Sequence, residues 1–283
     1  MYKFIIIVLL FLSQIVKGQD SLLLKFIPLP NKTYESIVSQ NIHTTMDYKG
    51  SSFIITLLKS QGITFPYTTE SVNKLHSMIK TSTKKNGRMP IDQKYLSFES
   101  VQKPLRSNTE IKVPVDAAEV FGYYDNQNIY HFDSISGPKF NTVELEKIRT
   151  KLEEPGKAQN DILISTGKSF EKESAVSFFF IGAGMVAFDV KTEYKLQKIT
   201  NGIGYLDTTM QFKLKSKNNK VKVLPSSTGS GKIEYDIENQ CIKNENSIYK
   251  IFSDVIVDKS VISITLIVNN SENKTLVDSI QSP

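Results

Sequence analysis

From Val186 to Leu214 the chain alternates side-chain character with a period of two. Val186, Phe188, Val190, Thr192, Tyr194 and Leu196 are separated by Ala187, Asp189, Lys191, Glu193 and Lys195. After Asn201-Gly202 the pattern resumes, with Leu206, Thr208, Met210, Phe212 and Leu214 set against Tyr205, Asp207, Thr209, Gln211 and Lys213. Successive side chains of a strand point to opposite faces, so one face lies in a core and the other in water; a helix would scatter both sets. Two such runs joined through Asn-Gly predict an antiparallel hairpin. The faces also select its register. A two-residue Asn201-Gly202 loop would place Leu196 opposite Asp207 and every apolar residue opposite a polar one. A three-residue Thr200-Asn201-Gly202 loop places Leu196 opposite Leu206, Val190 opposite Phe212 and Phe188 opposite Leu214. The second is expected, with Gly202 in the left-handed position that lacks a steric penalty only for glycine.

Other segments repeat the pattern. Leu22, Leu24 and Phe26 precede a Pro28-Leu29-Pro30-Asn31 turn, and Tyr34, Val38, Ile42, Met46 and Tyr48 share one parity along a long strand. Phe53, Ile55 and Leu57 follow a Lys49-Gly50 turn and read as another strand. Val72, Leu75 and Ile79 fit helical spacing, but their segment is rich in Thr, Ser and Lys and runs into Asn86-Gly87, so a strand and hairpin are expected. Ile233, Tyr235 and Ile237, the stretch from Ile248 to Val257, and Ile262, Ile264, Leu266 and Val268 complete the set. One helix is expected, where Asn141 caps a run carrying Leu145, Ile148 and Leu152 on one face and Pro155-Gly156 ends it.

The fold class is therefore mainly β: an antiparallel meander in curved sheets, half-barrel or sandwich-like, with one or two short helices. Asn31-Lys32-Thr33-Tyr34-Glu35-Ser36 echoes Gly167-Lys168-Ser169-Phe170-Glu171, which is consistent with two similar halves. The division drawn is 1–18 as a signal peptide, 19–157 as an N-terminal β-rich half and 158–283 as a C-terminal β-rich half.

The leader sets the compartment. Met1-Tyr2-Lys3 supplies a basic start, Phe4 to Leu12 is uninterrupted apolar sequence, and Val16-Lys17-Gly18 fits a signal peptidase site. The apolar core is shorter than the roughly 20 residues of a spanning helix. Cleavage before Gln19 is expected, giving a periplasmic or secreted protein with no transmembrane segment. Cys241 is the only cysteine, which excludes both an intramolecular disulfide and a lipid anchor at the cleavage point. The net charge of +6 falls to +4 without Lys3 and Lys17, is spread along the chain and comes almost wholly from Lys. With arginine only at Arg88, Arg106 and Arg149, nucleic acid is not an expected partner.

Several stretches together carry a resemblance. They are Gly167-Lys168-Ser169-Phe170-Glu171, then Val190-Lys191-Thr192-Glu193-Tyr194-Lys195-Leu196 with Ile199, then Asn201-Gly202-Ile203-Gly204-Tyr205-Leu206-Asp207. Gly229-Ser230-Gly231 leading into Tyr235-Asp236-Ile237 follows, with Gly122-Tyr123-Tyr124 and Asp133-Ser134-Ile135-Ser136-Gly137 as a middle portion. In this order they resemble a family of exported Bacteroidota proteins carrying a domain of unknown function. The resemblance implies a β-rich envelope or secreted protein and transfers no active site.

No catalytic, cofactor or metal motif survives inspection, and no cofactor is expected. Ile164-Ser165-Thr166-Gly167-Lys168-Ser169 ends like a phosphate loop, but Ile162 stands where the first glycine belongs and a charged strand follows instead of a helix. Gly229-Ser230-Gly231-Lys232 fails in the same way, with Ser226 and Ile233 at the required positions. His43, His76 and His131 lack metal-ligand spacing and read as solvated. Cys241 reads as a small buried thiol, and Glu153-Glu154 as solvated charges at a helix end.

The remaining candidate is Ala175 to Phe188, fourteen residues without a charge. Phe178, Phe179, Phe180, Ile181 and Met185 within it are the expected lip for a ligand or partner, because contiguous exposed apolar surface marks interaction sites. The leading expectation is an exported, non-catalytic protein binding an apolar small molecule or an envelope protein. The alternatives are a hydrolase assembled from distant Ser, Asp and His residues, and a structural surface protein.

Overall fold

A computed structural model describes residues 20–49, 52–60, 64–104, 118–137, 161–180, 184–215, 221–257 and 260–277. The strands of the first part are β1 (Ser21–Leu24), β2 (Thr33–Lys49), β3 (Tyr67–Thr81), β4 (Met89–Pro104), β5 (Glu119–Tyr124) and β6 (Tyr130–Ser136). Those of the second are β7 (Ile162–Ser165), β8 (Ser169–Phe180), β9 (Gly184–Thr200), β10 (Ile203–Leu214), β11 (Val221–Val223), β12 (Thr228–Asp236), β13 (Cys241–Val257) and β14 (Ser260–Val277). The fold is mainly antiparallel β, as the alternation predicts.

Two meanders share one sheet. Strands β2 to β6 follow one another outward on one flank, and β14 back to β8 on the other, with β11 off the path beside β13. They join where β14 pairs antiparallel with β2, from Val277 opposite Thr33 to Val261 opposite Lys49. The sheet thus runs unbroken across the 157/158 boundary. Its edges are β6 and β8, and among the described residues these do not pair, so the sheet is open rather than a closed barrel. Among the described residues no helix is long and apolar enough to cross a membrane.

The β9–β10 hairpin has the register expected and a different loop. Leu206 lies opposite Leu196, Phe212 opposite Val190 and Leu214 opposite Phe188. Yet Ile203 pairs with Thr200, so the loop is the two residues Asn201 and Gly202, with φ of 51° and 75°. The one-residue offset that brings the apolar faces together comes from an irregularity at Tyr205/Leu206, where Gln197 is the extra residue of β9. A bulge adds the residue inside the ladder and leaves the tight turn, whose left-handed backbone matches the strand twist, intact. A Cβ on Gly202 would meet nothing within 4 Å. Gly202→Val is therefore expected to destabilise by about 1 kcal/mol or more through backbone strain alone. An unchanged urea midpoint would show that the turn relaxes freely.

The Val72–Ile79 segment is a strand as expected, and β3 turns into β4 through Asn86-Gly87, with φ of 52° and 78°. A correction concerns Phe53, Ile55 and Leu57. Ser52–Ser60 is a helix, α1, instead of a strand. Phe53-Ile54 and Leu57-Leu58 recur four positions apart, which is helical spacing, and Phe53 and Leu57 of the period-two set belong to it. The Thr56 hydroxyl donates to the Ser52 carbonyl one turn back, at 2.9 Å. The helix expected from Asn141 to Leu152 lies outside the described residues.

The sheet is strongly curved. Ile79 on β3 and Phe170 on edge strand β8 are far apart in strand order, yet both line one cavity. Two buried apolar clusters occupy opposite ends of the concave face. One centres on Phe188, Ile251, Val255 and Val268, all 0% exposed. The other contains Leu22, Leu24, Ile164, Leu196, Leu206, Ile233 and Tyr235. Between them the face is polar. The Ser100 hydroxyl donates to Asn73 (2.7 Å), the Asn73 amide to Gln40 (3.3 Å), the Gln40 amide to Asn270 (3.0 Å) and the Asn270 amide to the Tyr249 hydroxyl (2.8 Å). This ladder crosses β4, β3, β2, β14 and β13.

Glu245 stands opposite Glu272 in the β13–β14 register. Burial, reinforced by the Glu272 charge, raises the Glu245 carboxyl above its ordinary 4.5. Folding therefore favours the protonated form: its contribution is full below pH 4.5 and is lost as pH rises through the folded value. Glu245→Gln is expected to raise the melting temperature at neutral pH, with the gain vanishing in acid. A gain that grew on acidification would reverse the assignment.

Candidate functional site

The site is built by the ribbon of β1 and β7. Leu22 pairs with Ile164 and Leu24 with Ile162, and this face of the ribbon packs on the second apolar cluster. Leu23 and Leu163, opposite one another on the other face, are exposed. After β1 the chain continues as a strap, Lys25 to Lys32, across the end of the concave face. Two buried tyrosines hold it. The Lys25 N–H donates to the Tyr235 hydroxyl (2.9 Å), which donates to the Lys25 carbonyl (3.2 Å). The Leu29 N–H donates to the Tyr34 hydroxyl (3.0 Å), which donates to the Asn239 carbonyl (3.3 Å). Thr81 closes the far end, donating to the Leu29 carbonyl (2.6 Å) and accepting from the Lys32 N–H (3.0 Å). A strap without a ladder of its own needs such partners, because unpaired backbone groups are costly when buried.

Beneath the strap lies a cavity of about 100 Å³. Leu24, Phe26 and Pro28 form its roof, and Leu206, Ile233 and Ile242 much of its floor. Phe170 and Tyr194, direct partners on β8 and β9, form a wall of two stacked rings: their centroids are 4.8 Å apart and the planes 4° from parallel. The Lys172 ammonium lies 4.0 Å from the Phe26 ring centroid, a cation–π contact, and burial lowers its pKa.

The polar groups of the lining are largely committed. Burial raises the Tyr194 and Tyr235 phenols to about 12, so both remain neutral. Burial also pushes the Cys241 thiol up to about 11, with Asp236 adding to the shift. Such a thiol is a poor nucleophile at neutral pH, because the thiolate is the reactive form. Lys274 pairs with Glu272 at 3.3 Å, and Glu272 also accepts from the Ser36 hydroxyl at 3.0 Å. The lining is mainly aromatic and aliphatic, and the Cys241 thiol within it is not activated.

The expected lip lies elsewhere, at the opposite end of β8 and β9. Phe178 is half-buried and packs edge-on against Phe188, with centroids 6.0 Å apart. Met185 is 66% exposed. The side chains of Phe179 and Phe180, and Ile181 altogether, lie outside the described residues. The three histidines are separated: His76 Nε2 is 2.7 Å from Glu35, His131 Nε2 is 2.8 Å from Asp125, and His43 Nε2 is 3.4 Å from the Thr45 hydroxyl. None of the three lines the cavity. Among the described residues no group of three His, Cys, Asp or Glu side chains could hold a metal ion.

Phe26, Phe170, Tyr194 and Tyr235 were legible in the sequence as inward-facing or strand residues, but nothing in it brought them together. That depends on the pairing of β1 with β7 and on the roll of the sheet.

No protein-family model matches the chain, and no curated protein matches it. Among solved structures, it is similar to lipovitellin in a structure of lipid–protein interactions, with a TM-score of 0.39, 10% identity and 89% of this chain covered. The match covers 25% of that chain, so this protein spans only a quarter of lipovitellin's length. It is also similar to a mutant of the TodX monoaromatic hydrocarbon channel, with a TM-score of 0.25, 9% identity, and coverage of 87% of this chain and 90% of that one. An outer membrane channel from Pseudomonas putida F1 gives a TM-score of 0.24, 6% identity, and coverage of 88% and 97% respectively. At these scores the site rests on its own residues.

Proposed function

We propose that this chain is an exported, non-catalytic protein that holds a small apolar molecule between its N-terminal strap and the concave face of the sheet. The observation that carries this reading is the cavity itself: a preformed space of about 100 Å³, walled by aromatic and aliphatic side chains, under a strap pinned by two buried tyrosine hydroxyls. A dry apolar cavity of about 150 Å³ takes up benzene. The space here is somewhat smaller, so it suits a molecule of that order or the end of a larger one. Ligand pockets combine an apolar lining with a few placed polar groups, and here those groups hold the strap.

Differential scanning calorimetry of the protein with and without a volatile apolar probe, toluene, tests the reading. A ligand that binds only the folded state raises the melting temperature with concentration. Ile242→Trp, which adds bulk at the half-buried part of the floor, should retain the parent melting temperature within a few degrees and lose the response. Absence of any shift in the parent protein, or an undiminished shift in Ile242→Trp, overturns the reading. Export is part of the same proposal and rests on the leader: the mature protein is expected to begin at Gln19 and carry no lipid. N-terminal sequencing that finds Met1, or mass spectrometry that finds an acyl group, refutes that part.

A further inference from the structure

The chemistry of the lining narrows the occupant. We propose that it is a single uncharged aromatic ring, either a monocyclic arene or the arene end of a larger apolar molecule, lying against the Phe170–Tyr194 wall. The inference rests on the apolar-binding reading and goes further by naming the ligand class.

Shape and hydrogen bonding point to it. Phe170 and Tyr194, register partners on neighbouring strands, are stacked with centroids 4.8 Å apart and planes 4° from parallel, so the pair offers a further ring an outer face to extend the stack and edges to meet. Phe26 presents a third ring from the roof. Aromatic rings gain offset-stacked or edge-to-face contacts against such surfaces that a saturated ring of similar volume does not. The volume is of the order of a single ring, and any larger molecule would extend out of the partly open space. Both strap-holding hydroxyls, Tyr235 and Tyr34, already accept one hydrogen bond and donate another. A polar head placed between them would lose its hydration without a replacement partner there. Of the cations in or beside the lining, Lys274 is paired with Glu272 and the Lys172 ammonium lies over the Phe26 ring, while Lys25 is a further one, so the uncharged assignment rests on the filled hydrogen bonds and is tested with an anion.

Three probes separate the possibilities in the full chain: toluene, methylcyclohexane with the same carbon count, and benzoate. Titration followed by NMR is expected to give toluene the tightest binding, about fivefold over methylcyclohexane, with no saturable binding of benzoate. The methyl protons of bound toluene should shift upfield from the ring currents of the wall, a measurement that needs no variant. Phe170→Leu keeps an apolar side chain and removes one ring of the pair, so it should weaken toluene binding more than methylcyclohexane binding and narrow the preference; an equal loss of both would overturn the aromatic assignment. Equal binding of toluene and methylcyclohexane to the parent protein would overturn the aromatic assignment and leave apolar binding standing. Saturable benzoate binding would overturn the uncharged assignment. Binding of none of the three would overturn both this inference and the reading beneath it.

Discussion

Phe188→Ala is expected to cost about 3–5 kcal/mol of unfolding free energy, the range for truncating a large aromatic in a packed core. Phe188 is 0% exposed and meets Phe178 and Phe212 edge-on, with centroid distances of 6.0 and 6.5 Å and interplanar angles of 60° and 84°. It lies at the centre of the apolar cluster that joins β8, β9 and β10 to β13 and β14. Loss of the ring removes its transfer free energy and these aromatic contacts, and a sheet rung cannot collapse into the space without breaking its ladder. Since folded domains of ordinary stability have only about 5–15 kcal/mol to lose, the variant should unfold at a much lower urea concentration. A cost below about 1 kcal/mol would place the core elsewhere.

Leu22→Ala should have a comparable local cost, about 2–5 kcal/mol, but a different signature. Leu22 is also 0% exposed, yet it sits on the short β1–β7 ribbon, outside the large sheet. Its truncation should release the ribbon and strap before the sheet melts, so hydrogen exchange should accelerate at Thr166 N–H, which donates to the Asp20 carbonyl at 2.8 Å, and at Lys25 N–H. Exchange at the β14–β2 ladder should change little. Gly204 provides the control. A Cβ there would come within 2.6 Å of Leu22 Cδ2, so Gly204→Ala alone should loosen the ribbon, and in the Leu22→Ala background it should cost little. Additive effects in that double-mutant cycle would refute the contact.

Much of the architecture was legible because alternation is a local property. In β9 and β10 the parity of Phe188, Val190, Leu196, Leu206 and Phe212 identified both the buried face and the residues that meet across it. The same parity could not distinguish a three-residue loop from a two-residue loop followed by a bulge, since both shift the register by one residue. Phe53, Ile55 and Leu57 misled for a related reason. A short apolar run such as Phe53-Ile54-Ile55 with Leu57-Leu58 satisfies a period of two and a spacing of four at once, and only the hydrogen bonds of Ser52–Ser60 separate them.

The apolar stretch Phe178 to Met185 drew attention as a site because it is continuous in sequence. The cavity did not, because its walls come from β1, β2, β3, β8, β9, β10, β12, β13 and β14, and its aromatic residues Phe26, Phe170 and Tyr235 are spread over most of the chain. Alternation by itself determined that this protein is an antiparallel sheet, which residues face inward and which partners meet within hairpins, since each depends on side chains a few positions apart. Tertiary structure alone decided that β14 closes onto β2, that β1 finds β7, and that the sheet rolls until Ile79 and Phe170 share a cavity. Those pairings join residues more than a hundred positions apart. They are selected by how much apolar surface the whole sheet and ribbon bury together, a property that no short window of sequence contains.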